Sequence, residues 1–157
     1  MKKKILLLCL VLGLIVSCAD ENAPATNLSN LSDSSNLSDL SEADLRVYFD
    51  YDKYTLQTKD PVKANKNFAT LDAQATLLRR NNSVKVTIEG NCDERGTREY
   101  NMALGAKRAS AAKAYLVKKG VRSSQIKTTS NGKDKPSVDG HNEDAWSVNR
   151  NATTVIR

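Results

Sequence analysis

A chain of 157 residues with a single tryptophan, a single histidine and a formal net charge of +6 holds material for one folded domain and excludes several classes of function. Lys2, Lys3 and Lys4 stand together at the start; without them 21 basic residues face 18 acidic ones, close to +3 and interspersed, which excludes the strongly basic face of a nucleic-acid binder. With His141 as the only histidine, neither a His-based triad nor a multi-histidine zinc site can be assembled, and no metal or cofactor is expected.

The basic start leads into an apolar run at 5–16. Such a run fits the ~7–15 residues of a signal-peptide core and falls short of the ~20 that span a bilayer. It ends in Leu14-Ile15-Val16-Ser17-Cys18, which resembles the lipobox of bacterial lipoproteins. The resemblance implies cleavage before Cys18 and acylation of its thiol and new amino group, palmitate included. One acyl chain anchors reversibly, whereas two or three hold permanently. Ala19 stands where an aspartate would resemble an inner-membrane retention signal, so the expected location is the outer membrane, with the domain facing the periplasm. The alternative is an ordinary cleaved signal peptide in which Cys18 is incidental. Cys9 leaves with the leader and Cys18 is acylated, so Cys92 stands alone and no internal disulfide is expected.

Three regions follow: a signal peptide at 1–17, an acylated cysteine with a tether at 18–43, and a folded domain at 44–157. The tether is rich in Asn, Ser and Asp, with Asn27-Leu28-Ser29-Asn30-Leu31-Ser32-Asp33 echoed at Asn36-Leu37-Ser38-Asp39-Leu40-Ser41. Its apolar area is too small to offset chain entropy, which predicts disorder. The reach is up to ~90–100 Å extended and nearer ~30 Å as a coil. A short leucine-bearing helix that docks a partner is the alternative.

In the domain, Val47-Tyr48-Phe49-Asp50 reads as a strand. Phe68, Leu71, Ala75 and Leu78 recur at helical spacing and predict a helix over 62–80. Strict alternation at 84–89 predicts a second strand, and 91–97 reads as a polar loop containing Gly96. Leu104, Ala111, Tyr115 and Leu116 predict a second helix that starts near Thr97 and stops at Gly120. A third strand is expected over 125–130, a helical turn over 143–148 and a last strand over 152–156. The order β-α-β-α-β-β predicts an α+β two-layer sandwich, with two main helices on one face of a mixed four-stranded sheet.

The run Glu89-Gly90-Asn91-Cys92-Asp93-Glu94-Arg95-Gly96-Thr97-Arg98-Glu99-Tyr100-Asn101, continued by Leu104-Gly105 and Arg108-Ala109, resembles the signature of OmpA-like peptidoglycan-binding domains, the peptidoglycan-associated lipoproteins among them. Val47-Tyr48-Phe49-Asp50-Tyr51-Asp52-Lys53-Tyr54 is similar to their first strand and its exit. The resemblance implies non-covalent binding of the peptidoglycan stem peptide at diaminopimelate, with Asp93 meeting the ammonium and Arg108 the carboxylate. The chemistry suits both residues, because a guanidinium matches a carboxylate bidentately and an aspartate accepts from an ammonium. Spacing alone does not bring the two together, since Arg108 lies ~15 Å along its helix from the start. From the residues alone, a surface ion pair is the other reading. Asn101 is a candidate for orienting the loop or bonding at the helix start, Phe49 and Asp50 for the edge of the site, with Phe49 equally a core residue, and Thr97 for the helix cap.

The sequence departs from the family's pattern where Asn91 replaces a usual histidine, Cys92 a usual alanine or threonine, and Asn151 a usual arginine after Asn149-Arg150. The resemblance further implies engagement by the β-propeller protein TolB and other Tol proteins, in a Tol-Pal system acting in envelope integrity and cell division. Two alternatives stay open at this point. One is a lipoprotein that chiefly docks periplasmic proteins. The other is a cell-wall hydrolase using Asp93 with Glu94, or Asp50 with Asp52, as its carboxylate pair.

Overall fold

The computed structural model describes residues 45–157; the expected signal peptide, Cys18 and the expected tether lie outside the described residues. Chain order is β1 (Arg46–Tyr48), α1 (Pro61–Arg80), β2 (Val86–Asn91), α2 (Arg98–Lys118), a 3-10 turn (Ser123–Gln125), β3 (Ile126–Gly132), α3 (Glu143–Asn149) and β4 (Asn151–Ile156). The sheet runs β1-β4-β2-β3. Strands β2 and β3 are parallel, as a helical crossover requires, while β4 is antiparallel to both β1 and β2. The result is a two-layer α+β sandwich on a mixed sheet, in agreement with the sequence reading.

Each helix begins and ends where its terminal backbone groups find partners. Pro61 opens α1 at a position where a missing N–H costs nothing, and the Asp60 carboxylate accepts from Val62 N at 2.9 Å. Helix α2 stops at Gly120, whose φ of +90° suits glycine. There Gly120 N donates to Val117 O at 2.9 Å and Val121 N to Leu116 O at 3.1 Å, the paired bonds of a Schellman close.

Leu71, Leu78, Val86, Ile88, Leu116 and Ile126 are among the residues of one core between helices and sheet. The apolar stripe of α1 is only part of its buried face. Phe68 is half-buried, whereas Asn67 and Gln74 are fully buried and hydrogen-bonded. Asn67 accepts from Tyr48 N at 2.9 Å and donates to Tyr48 O at 2.8 Å, filling the ladder positions of the edge strand β1. Gln74 accepts from the Thr154 hydroxyl at 2.8 Å.

The second strand departs from the expected 84–89 by starting at Val86 and running to Asn91. Val84 N turns back onto Asn81 O at 3.1 Å, which delays the start. At the far end, Gly90 and Gly105 let α2 lie directly on β2. A Cβ at Gly90 would sit 1.8 Å from Gly105 O, and one at Gly105 would sit 2.7 Å from Gly90 O. This contact sets α2 against the end of the strand that carries the polar loop.

Candidate functional site

The exit of β1, the exit of β2 and the entry of β4 meet at one end of the sheet. Phe49 N continues the β1–β4 ladder onto Arg150 O at 2.9 Å, and Cys92 N continues the β2–β3 ladder onto Gly132 O at 2.7 Å. The strands thereby deliver Asp50 to Lys53, Asp93 and Arg150 to one place, with α2 passing overhead.

Arg108, on α2, is 1 % exposed although it carries a charge. Its Nε donates to Lys53 O at 2.9 Å, Nη1 to Asn91 O at 2.7 Å and Nη2 to Asp50 O at 3.2 Å. The guanidinium also lies over the Phe49 ring, 5.2 Å from its centroid. Burial pulls its pKa below the ordinary arginine value. One side chain therefore staples the β1 exit, the β2 exit and α2, a structural duty its place in the motif does not announce. These three bonds engage three of the five N–H donors of the guanidinium, and the Cys92 side chain is a further hydrogen-bonding neighbour.

Asp93 is 4 % exposed and surrounded by arginine. Its Oδ1 accepts from Arg95 N at 3.2 Å and Arg95 Nε at 3.3 Å, and its Oδ2 from Arg95 Nη2 at 2.7 Å and Arg150 Nη1 at 3.2 Å. Burial alone would raise the carboxyl, but the hydrogen bonds from Arg95 and Arg150 outweigh it and hold the pKa low. Arg150 is itself fixed, with Nε on Phe49 O at 3.2 Å and Nη2 on the Glu143 carboxylate. The Arg95 guanidinium lies between two rings, 4.0 Å from the centroid of Tyr51 and 4.1 Å from that of Trp146.

The loop between β2 and α2 is held from both sides. Thr97 caps α2, its hydroxyl accepting from Tyr100 N at 3.2 Å. Asn101 donates to Arg95 O at 2.9 Å and Thr97 O at 3.1 Å, which fixes the turn at Gly96 with its φ of +93°. Glu94 points away from the arginines, accepting from Trp146 Nε1 at 2.9 Å and meeting His141 Nδ1 at 2.7 Å. Lys133 donates to Gly96 O at 2.7 Å and closes the other side.

A cavity of about 150 Å³ opens in the middle of this arrangement, lined by Asp93, Arg108, Asn101, Cys92, Arg95 and Tyr51 among others. Asp93 and Arg108 share its wall without forming an ion pair with each other, so neither is the surface pair that was the other reading of the residues. Asn101 lines the cavity and ties the loop. Phe49, Asp50 and Thr97 stand behind it: Phe49 is in the core under Arg108, Asp50 offers its carbonyl to Arg108 and its carboxylate to Lys59 N at 2.8 Å, and Thr97 is the cap. Arg95 and Tyr51 line the cavity but were given no role from sequence. Their signal was faint, an arginine two residues from the loop aspartate and an aromatic residue two residues after Phe49.

The carboxylates proposed as a hydrolase pair are committed elsewhere. Asp93 and Glu94 diverge, and both are held below the usual carboxylate range, Glu94 by bonds from Trp146 and His141, the opposite of what a general acid needs. Asp50 caps the approach to α1, and Asp52 accepts from the Tyr100 hydroxyl. Among the described residues no three His, Cys, Asp or Glu side chains converge as metal ligands would. Burial raises the pKa of the Cys92 thiol, which is free and enclosed.

Fold and site together define an α+β domain with a small, charged cavity at one end of its sheet. The model of the OmpA family matches residues 48–150. Over 114 residues the chain is 46 % identical to a peptidoglycan-associated lipoprotein of Pasteurella multocida, covering 73 % of this chain and 71 % of that protein. The counterpart from Haemophilus influenzae is 45 % identical over 74 % of this chain and 71 % of its own. Among solved structures, the peptidoglycan-associated lipoprotein of Burkholderia pseudomallei superposes with a TM-score of 0.64 at 41 % identity, covering 71 % of this chain and 89 % of that one. The chain belongs to the OmpA family. Within it, the relatives just described are peptidoglycan-associated lipoproteins, which sets this chain among non-enzymatic members.

Proposed function

We propose that the chain is an outer-membrane lipoprotein, acylated at Cys18, that binds diaminopimelate-type peptidoglycan non-covalently and so tethers the outer membrane to the cell wall. The observation that carries this reading is the pairing of opposite charges in one cavity. Asp93 is an acceptor suited to an ammonium, and the Arg108 guanidinium in the same wall is suited to a carboxylate. The free end of diaminopimelate presents those two groups together. Asn101 and Thr97 hold the loop in register for this contact, while Phe49 and Asp50 support Arg108 from beneath. Names of the curated relatives support the same polymer as ligand. Tyr51 and Tyr100, both more than half exposed at the cavity rim, offer a surface for a periplasmic partner of the TolB kind within a Tol-Pal system acting at division.

Co-sedimentation with purified sacculi at matched salt tests the reading. Diaminopimelate-type wall should retain the protein and release no soluble fragments. Lysine-type wall, which lacks the distal carboxylate, should retain markedly less. A modest single-site affinity suffices, because a membrane anchor and a repeating polymer raise the effective concentration toward the mM range. Equal retention on both walls would refute the recognition mode. Pull-down of TolB with and without added peptidoglycan separates wall binding from protein docking at the same rim.

A further inference from the structure

We propose that Arg95 is a resident counter-ion of Asp93 that an incoming ammonium must displace, and that this exchange makes Arg95 a determinant of affinity and specificity; the inference rests on Asp93 being the ammonium acceptor. Both oxygens of Asp93 are already engaged, and Arg95 supplies three of the four hydrogen bonds they accept. Asp93 faces the cavity at only 4 % exposure with its oxygens already bonded, so a ligand cation has to compete with Arg95 for them. Of the two arginines present, only one is free to leave. The Arg150 side chain is 5 % exposed and tied to Phe49 O and Glu143, whereas the Arg95 side chain is 30 % exposed and held otherwise by its two flanking rings.

A second acceptor lies within reach. Glu143 Oε2 is 3.8 Å from Arg95 Nη2, against 2.7 Å for Asp93 Oδ2, and its side chain is 62 % exposed. Closing that gap by roughly one ångström would let Glu143 share Arg95 with Asp93, and a further outward turn of the partly exposed arginine side chain would exchange one ion pair for the other. The ligand's ammonium then takes the vacated side of Asp93, and the charge on that carboxylate stays balanced throughout. A ligand without a cation has nothing to offer Asp93 in return for the lost guanidinium, so the resident arginine rejects neutral and N-acylated analogues. This is discrimination by an unreplaced charge rather than by shape.

The sign of one substitution separates this role from direct ligand contact. With the full-length protein in detergent and the tripeptide L-alanyl-γ-D-glutamyl-meso-diaminopimelate as probe, Arg95→Ala and the uncharged Arg95→Gln should each bind about three- to tenfold more tightly than wild type, the scale of a partly exposed ion pair with ring stacking. The same variants should accept a probe acetylated on its distal amine better than wild type does. Trp146 is the only tryptophan and touches Arg95, so its emission should change on binding in wild type and much less in either variant. Weaker binding by both variants, with Asp93→Asn also weak, would overturn the counter-ion role and leave Asp93 as the acceptor. Unchanged binding by Asp93→Asn would instead remove the acceptor on which the inference rests.

Discussion

The side-chain amide of Asn91 donates to the side-chain oxygen of Asn151 at 2.8 Å, and both residues are buried. These are two of the positions at which the sequence departs from its family's pattern, sixty residues apart in the chain and in direct contact in the fold. Asn131 extends the link from β3, donating to Asn91 Oδ1 at 2.9 Å, so β2, β3 and β4 are joined by amides at the end of the sheet that carries the cavity. Truncating either asparagine leaves buried partners unsatisfied, which costs about 1–3 kcal/mol. Asn91→Ala and Asn151→Ala should each lower the unfolding free energy by that amount in urea titrations. The double variant should cost less than the two together, because the second change removes a bond already lost.

Arg108→Ala should abolish tripeptide binding and also destabilise the fold. Three backbone carbonyls lose their donor, and about 1–3 kcal/mol is expected for each buried group left unpaired, moderated where water enters the space vacated. Arg108→Lys should recover little, since a single ammonium cannot span three carbonyls in a plane. Thermal unfolding beside binding of the folded fraction checks both statements.

Acid should weaken the fold through Asp93, whose carboxyl is held below its ordinary value of 3.8. A group with a depressed folded pKa stabilises at every pH above its unfolded value and loses that contribution as pH falls through the folded one. The contribution is therefore complete at neutral pH and fades below about pH 4. Urea midpoints measured from pH 7 downward should fall less steeply in that window for Asp93→Asn than for wild type. Glu94 and Glu143 titrate in the same window, so the difference between the two proteins is the quantity to read.

Gly90→Ala should be among the most damaging single changes in the domain. The added methyl would meet helix backbone rather than a side chain able to turn aside, so α2 must lift from β2. Overpacking of this kind costs about 1–3 kcal/mol or more. Loss of the Arg108 bond to Asn91 O should accompany it, visible as poor tripeptide binding in whatever protein still folds.

Processing at Cys18 is open to a direct check in cells. Globomycin, which blocks the lipoprotein signal peptidase, should make the unprocessed precursor accumulate. A Cys18→Ser chain should lose its partition into outer membranes.

The sandwich was legible because its elements carry strong local signals: alternation ahead of Glu89, leucine and alanine at helical spacing in both long helices, and Gly120 as a stop. What escaped was polar and long-range. Asn67 and Gln74 sit on the buried face of α1 because the edge strand and Thr154 need partners, a demand invisible to apolar periodicity. Strand β2 outran its alternating pattern because Gly90 is read by the helix above it, not by hydropathy. At the site, the motif marked Asp93, Asn101 and Arg108, yet no spacing rule reveals that Arg95 folds back onto Asp93 or that Arg150 arrives from β4.

The placement of β1 also has a mechanical meaning. From residue 45 the described chain runs along β1 and reaches the cavity wall at Tyr51, so a pull applied at the start of β1 against a ligand held in the cavity is directed along the strand. Tension then acts parallel to β1 and loads its pairings with β4, Arg46 to Thr153, Val47 to Ala152 and Tyr48 to Asn151, in shear and at once rather than peeling them one after another. The Asn67 bonds on the other edge of Tyr48 share that load. A strand of three residues can thus serve as the coupling through which force enters this domain.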